Sequence, residues 1–256
     1  MPGALELIGN VLLFALVFGM SATVDIKCMK QQIQNKNAIL LGLFCQFLLL
    51  PFLGFAMVNL LQLDAALGMT LLVVTSSPGG SYSNWWCSLF NADLALSVTM
   101  TAISTILSII ALPANLLIYA NISYEADITK ALDWHSVFVA LAIVITAIAL
   151  GLYLSYKTHS YKFNVIANKI GNVAGLALII FSAAVTNTGD SDTKIWSREP
   201  SFYIACIGPC VLGLLIASLL ASALNLEKPE RMTVAVECCY QNVGIATSLA
   251  LTMFEG

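Results

Sequence analysis

The sequence predicts an all-α, polytopic membrane bundle. Three observations carry that reading. Hydrophobic residues make up 59% of the 256 positions and charged residues only 10%, against about a quarter charged in a soluble domain. Eight apolar runs reach the roughly 20 residues that a spanning helix needs. The ten-residue alternation of a membrane β-barrel occurs in none of them, and Gly, Ala and Ser are scattered through the runs as close helix packing in lipid requires.

The runs cover about 5–24, 38–61, 64–90, 93–120, 134–156, 168–187, 201–225 and 231–254. The first lacks a basic leader and a small-residue cleavage site, so it reads as a span and not as a removable signal. Lys27, Lys30, Lys36, Lys157, Lys162, Lys169, Lys228 and Arg231 fall on one side, and only Lys130, Lys194 and Arg198 on the other. The positive-inside rule then puts the first side in the cytoplasm and both termini outside. The same orientation puts the sequon Asn121-Ile122-Ser123 in an outside loop.

Composition excludes several function classes. Eleven Lys plus Arg against fourteen Asp plus Glu leave a net charge of −3 with no basic tract, so no nucleic-acid partner is expected. The seven Cys form no CxxC pair and sit mostly in apolar runs, which indicates neither a disulfide framework nor a zinc site. His135 and His159 stand at span ends and read as solvated. There is no HExxH, no GxSxG and no second deep carboxylate for an intramembrane protease, so no enzyme is expected.

Two runs are interrupted near mid-membrane. The third carries Ser76-Ser77-Pro78-Gly79-Gly80-Ser81-Tyr82-Ser83-Asn84, in which Pro78 removes a backbone donor and the glycines permit unwinding. The eighth carries Glu237-Cys238-Cys239-Tyr240-Gln241-Asn242-Val243-Gly244. Irregular backbone at that depth survives only inside protein or along a wet cavity. The two breaks lie five spans apart and therefore run in opposite directions, the arrangement of inverted five-helix repeats. Ten spans would complete such a pair, so the eight visible ones lack the first helix of one repeat and the last of the other. Ile8-Gly9-Asn10-Val11 and Ile170-Gly171-Asn172-Val173 echo one another across the repeats.

Glu237 is the sharpest single signal, because a carboxylate at the bilayer centre costs about 2.5–3.5 kcal/mol or more. No basic residue in the neighbouring spans offers to pair with it, which leaves a cation, a proton or a network of hydroxyls and amides. A protonated Glu acting as interhelical glue is the structural alternative. Hard cations prefer oxygen, and Gln241, Asn242 and the carbonyls near Cys238 and Tyr240 would supply it, with Ser83 and Asn84 from the opposite break. Ser97 and Thr101 lie four apart on one helix face, although such hydroxyls commonly bond back to their own helix. Gln46 must have its amide satisfied within the protein, as ligand or as glue. Tyr82, Trp85 and Trp86 flank the first break and would line a cavity or fill packing gaps.

These residues resemble the sodium/bile acid symporters. The likeness runs through Val24-Asp25-Ile26-Lys27, Phe44-Cys45-Gln46-Phe47 with Pro51, Ser77-Pro78-Gly79-Gly80 to Ser83-Asn84, Asp93 to Thr101, and Glu237 to Gln241-Asn242. It implies a single transporter domain in which panel spans, about 5–61 and 168–225, move against core spans, about 64–156 and 231–254, whose two broken helices cross. By the same resemblance, one sodium site comprises Ser83, Asn84, Ser97, Thr101 and Glu237. A second comprises Gln46, Glu237, Gln241 and the carbonyls of Cys238 and Tyr240. Asn242, with Ser81 and Tyr82, would face an organic anion such as a bile acid, a steroid sulfate or a small carboxylate. Trp85 and Trp86 are bulkier than the family's usual residues there and imply a reshaped cavity. No cofactor is expected beyond sodium as coupling ion, and the expected setting is the plasma membrane, with an organelle membrane as alternative. The competing reading is a non-transporting membrane binding or assembly protein, or an inactive fragment lacking the family's final helix.

Overall fold

The computed structural model describes residues 4–23, 26–80, 83–124, 134–158, 160–186, 199–242 and 246. The described residues are mostly helical, with one isolated antiparallel β-bridge among them, Gly79 to Gln241. In chain order the helices are α1 (Ala4–Ser21), α2 (Ile26–Gln32), α3 (Lys36–Phe44), a π-helical turn (Cys45–Leu49), α4 (Leu50–Leu60), α5 (Ala65–Ser76), α6 (Ser83–Leu89), α7 (Leu94–Ser123), α8 (Trp134–Thr158), α9 (Tyr161–Thr186), α10 (Pro200–Ala223) and α11 (Lys228–Cys239).

Four continuous helical stretches among the described residues are long and apolar enough to cross a bilayer: Lys36–Leu60, Leu94–Ser123, Tyr161–Phe181 and Pro200–Ala223. The sequence pattern gives eight runs, and two of them, the third and the eighth, are interrupted. The third run is divided where Ser77 takes the extended backbone (φ −67°, ψ 155°) that a following proline imposes. The eighth leaves the helix at Tyr240 (φ −105°, ψ 91°). Leu7–Ser21 and Ala142–Thr158 are apolar parts of α1 and α8. The outward faces are those of a lipid-bathed bundle, with Ile110, Leu219, Ile180 and Val173 each about two-thirds exposed or more.

Small residues set the helix spacing. A Cβ on Gly19 would stand 2.5 Å from the Ala167 carbonyl oxygen and 2.5 Å from the Gly171 nitrogen, so α1 and α9 meet backbone to backbone. The other large face of α1 packs on α8, while α10 packs on α11 and α4. An apolar core of Leu13, Val17, Met69, Leu72, Leu112 and Leu116 joins α1, α5 and α7.

Helix starts follow the capping residues. Asp64 accepts the Leu67 N–H at 3.0 Å to open α5, and Asp93 accepts the Leu96 N–H at 2.9 Å to open α7. Glu230 takes the Glu227 N–H at 3.0 Å at the start of α11 and also accepts from Asn35 Nδ2 at 2.5 Å. The sequon does not lie in a loop: Asn121-Ile122-Ser123 forms the last turn of α7, where Ser123 Oγ accepts from Asn59 Nδ2 at 3.0 Å.

Candidate ion-binding site

The two interrupted runs meet back to back. Gly80 N–H donates to the Tyr240 carbonyl at 2.8 Å, and Asn242 N–H donates to the Pro78 carbonyl at 2.8 Å. This exchange of main-chain bonds satisfies polar groups that both helices lose on unwinding, inside protein where water is excluded. Gln241 completes the end of α11 by donating its Nε2 to the Cys238 carbonyl at 2.6 Å.

The glycines serve close approach. No described glycine adopts a positive φ. A Cβ on Gly79 would stand 2.5 Å from Glu237 Oε2 and 2.6 Å from Gln46 Nε2, and one on Gly80 would stand 2.5 Å from the Gln241 carbonyl oxygen. Only a bare backbone fits between the carboxylate and the crossing.

Glu237 is fully buried, as are Gln46, Ser83 and Ser97. Its Oε1 contacts Ser83 Oγ at 2.5 Å, Ser97 Oγ in a very short hydrogen bond, and Thr101 Oγ1 at 3.2 Å; Thr101 also reaches Oε2 at 3.1 Å. Ser83 Oγ lies 2.6 Å from the Gly80 carbonyl as well. A hydroxyl has one proton and cannot donate to both oxygens. The second contact calls for a further positive charge, either a proton on the carboxyl group or a cation among the oxygens.

Two buried amides, Gln46 and Gln241, lie near the same crossing. Gln46 Nε2 donates to the Glu237 main-chain carbonyl at 3.0 Å. Gln46 Oε1 and Gln241 Oε1 are buried acceptors without a hydrogen-bond donor among the described residues. An unmade buried acceptor costs about 1–3 kcal/mol. Two of them near the crossing that holds Glu237 fit a hard cation, which oxygen ligands hold without needing an N–H.

Of the expected residues, the structure thus brings together Ser83, Ser97, Thr101, Glu237, Gln46 and Gln241, with Cys238 and Tyr240 beside them through their carbonyls. Asn84 is the second residue of α6, and only its backbone is described. Asn242 is buried at the crossing. Ser81, Tyr82 and His159 lie outside the described residues, and of Trp85 and His135 only the backbone is described. Trp86 stacks on Phe90 with ring centroids 5.8 Å apart and faces Tyr240 at 6.4 Å.

Sequence reasoning missed two features. Gln46 sits in the π-helical turn, in which the Leu50 N–H reaches back five residues to the Cys45 carbonyl. Pro51 has no N–H for the Phe47 carbonyl four residues before it, and Asn115 Nδ2 donates there at 3.0 Å. The readable signals were a proline five residues after a buried amide and a second amide deep in the fourth run. The other feature is the continuation of the hydroxyl row beyond Thr101, since Ser104 Oγ accepts from Gly79 N–H at 3.4 Å and Thr105 and Ser108 follow it along α7.

Comparison with known proteins identifies the family. Residues 10–194 match the Sodium Bile acid symporter family. The ileal sodium/bile acid cotransporter of Homo sapiens is 27% identical over 245 residues, covering 96% of this chain and 69% of that protein. Sodium/bile acid cotransporter 4 of Mus musculus is 26% identical over 238 residues, covering 93% of this chain and 54% of that protein. The P3 protein of Mus musculus is 29% identical over 232 residues, which are 91% of this chain and 47% of that protein. The chain therefore spans between about half and two-thirds of the length of these relatives. It is an integral membrane protein and belongs to the sodium bile acid symporter family.

Proposed function

We propose that the chain couples inward sodium flow to uptake of an organic anion by alternating access. The observation that carries this reading is the fully buried Glu237 held by the hydroxyls of Ser83, Ser97 and Thr101, at a crossing where the buried amide oxygens of Gln46 and Gln241 have no donor among the described residues. In this reading Ser83, Asn84, Ser97, Thr101 and Glu237 hold one sodium ion. Gln46, Glu237, Gln241 and the carbonyls of Cys238 and Tyr240 hold the second. The ions supply the positive charge that the Ser83 contacts call for.

Asn242, Ser81 and Tyr82 would meet the anion beside the crossing, where helix ends at the two breaks present partial positive charge. Bile acids, steroid sulfates and small carboxylates all suit a mostly apolar cavity with a few polar groups. The panel spans, about 5–61 and 168–225, would rock against the inverted-repeat core, about 64–156 and 231–254, in a plasma membrane with both ends of this chain outside.

The test is uptake of labelled organic anions of these three classes into proteoliposomes, with and without an inward sodium gradient. Sodium-dependent uptake by the chain, lost in Glu237→Gln while the variant still inserts, is the expected result. Uptake that ignores sodium, or that survives Glu237→Gln unchanged, refutes the assignment.

A further inference from the structure

We infer that Asn115 is a positioning residue for the second ion set, holding Gln46 in place through the Phe47 carbonyl. The inference rests on the proposed ion coupling and names a residue that this proposal does not include. Asn115 lies on α7, fourteen residues beyond Thr101, the nearer of the two α7 hydroxyls that meet Glu237, and its side chain serves Phe47 instead.

The argument starts from Pro51. In an α-helix the Phe47 carbonyl would accept an N–H from residue 51, and proline has none. The chain answers with a π turn over Cys45–Leu49, in which the Leu50 N–H is diverted to the Cys45 carbonyl. The carbonyls of Gln46 and Phe47 thereby both lose their α-helical donors. At a buried level of the membrane that loss is tolerated only if another group serves. Asn115 Nδ2, itself only 7% exposed, serves Phe47 at 3.0 Å.

The extra residue of a π turn re-aims the side chains that follow the helix face. Here Phe44 and Leu48 point outward at 47% and 56% exposure, and Cys45, Gln46 and Phe47 point inward. Gln46 is thus held in three ways: by the turn, by its own bond to the Glu237 carbonyl at 3.0 Å, and by the Asn115 bond to the next peptide. Asn115 also ties α7, which carries Ser97 and Thr101, to the helix that carries Gln46. One side chain therefore fixes the spacing between the two oxygen sets.

The experiment compares the full chain with Asn115→Leu, Pro51→Ala and the double variant. It reads thermal unfolding in detergent against sodium, with choline as control, together with uptake kinetics. Asn115→Leu is expected to raise the half-saturating sodium concentration by about fivefold to tenfold, while the half-saturating anion concentration at saturating sodium changes by less than about twofold. Pro51→Ala returns an N–H to the Phe47 carbonyl. In the double variant it should restore the unfolding midpoint in choline without restoring sodium affinity, because Gln46 is re-aimed. Should Asn115→Leu not fold, the double variant carries the same test. An unchanged sodium response in a folded Asn115→Leu chain overturns the inference, and so does full recovery of that response by Pro51→Ala, since Asn115 would then only repair a helix. A parent chain with no sodium response overturns the proposed function and this inference with it.

Discussion

Gly79→Ala separates an ion site from a structural crossing. The added Cβ would stand 2.5 Å from Glu237 Oε2 and 2.6 Å from Gln46 Nε2, about 0.9 Å and 0.8 Å inside ordinary contact. Both neighbours are the ends of side chains, so they can retreat at the expense of the Thr101 bond to Oε2 and the Gln46 bond to the Glu237 carbonyl. Overpacking of this kind costs about 1–3 kcal/mol, and each hydrogen bond lost adds about 1 kcal/mol. The overpacking cost falls on the empty and the loaded chain alike, whereas the two lost hydrogen bonds, about 2 kcal/mol together, orient the ion ligands; at 1.4 kcal/mol per tenfold, sodium affinity should fall by about tenfold to a hundredfold. Gly80→Ala is the control, because its Cβ would meet the Gln241 main chain at 2.5 Å and 2.9 Å and would push the bridge apart. That variant should lose folded yield. The assay is thermal unfolding of purified chain titrated with sodium, with choline at constant ionic strength. A Gly79→Ala chain whose sodium response matches the parent, or whose stability falls as far as that of Gly80→Ala, would refute the reasoning.

Two further outcomes follow from the same geometry. Gln46→Leu removes one orphaned acceptor together with one donor, so stability in choline should stay within about 1 kcal/mol of the parent, while the stabilisation gained from sodium shrinks; an undiminished sodium gain counts against Gln46 as a ligand. Ser97→Ala removes one of three hydroxyls from Oε1 and should raise the half-saturating sodium concentration for uptake by about threefold to tenfold, and an identical sodium curve would remove Ser97 from the set.

Much of the site was readable because it rests on local rules. Pro78 forbids a continuous helix, and the helix stops at Ser76 as the sequence requires. Ser97 and Thr101 share a face by spacing alone, and both meet Glu237. The second break has no proline and no glycine before Gly244, so only its polar content marked it. What ends α11 at Cys239 is a long-range event, the main-chain exchange with Pro78 and Gly80. The glycines were read as licences to unwind, yet they answer a spatial demand that becomes visible only once Glu237 and Gln241 are in position. The π turn escaped for the same reason: the donor that makes it tolerable, Asn115, lies 68 residues from the carbonyl it serves.

Glu237 belongs to both oxygen sets through different atoms, and that division bears on coupling. Its carboxylate meets Ser83 from one broken run and Ser97 and Thr101 from α7, while its main-chain carbonyl receives Gln46 from the π turn. In the proposed function, a cation among the hydroxyls would pull on the carboxylate end, and one among the amides would draw on the helix end that carries the same residue. Filling one set therefore changes the charge and position that the other meets, without any intervening chain of contacts. Gly80 and Asn242 carry the effect onward, because their bonds to Tyr240 and Pro78 make the two helix ends one unit. Under the proposed function, an anion bound at the crossing would therefore meet helix ends whose charge and position depend on the ions.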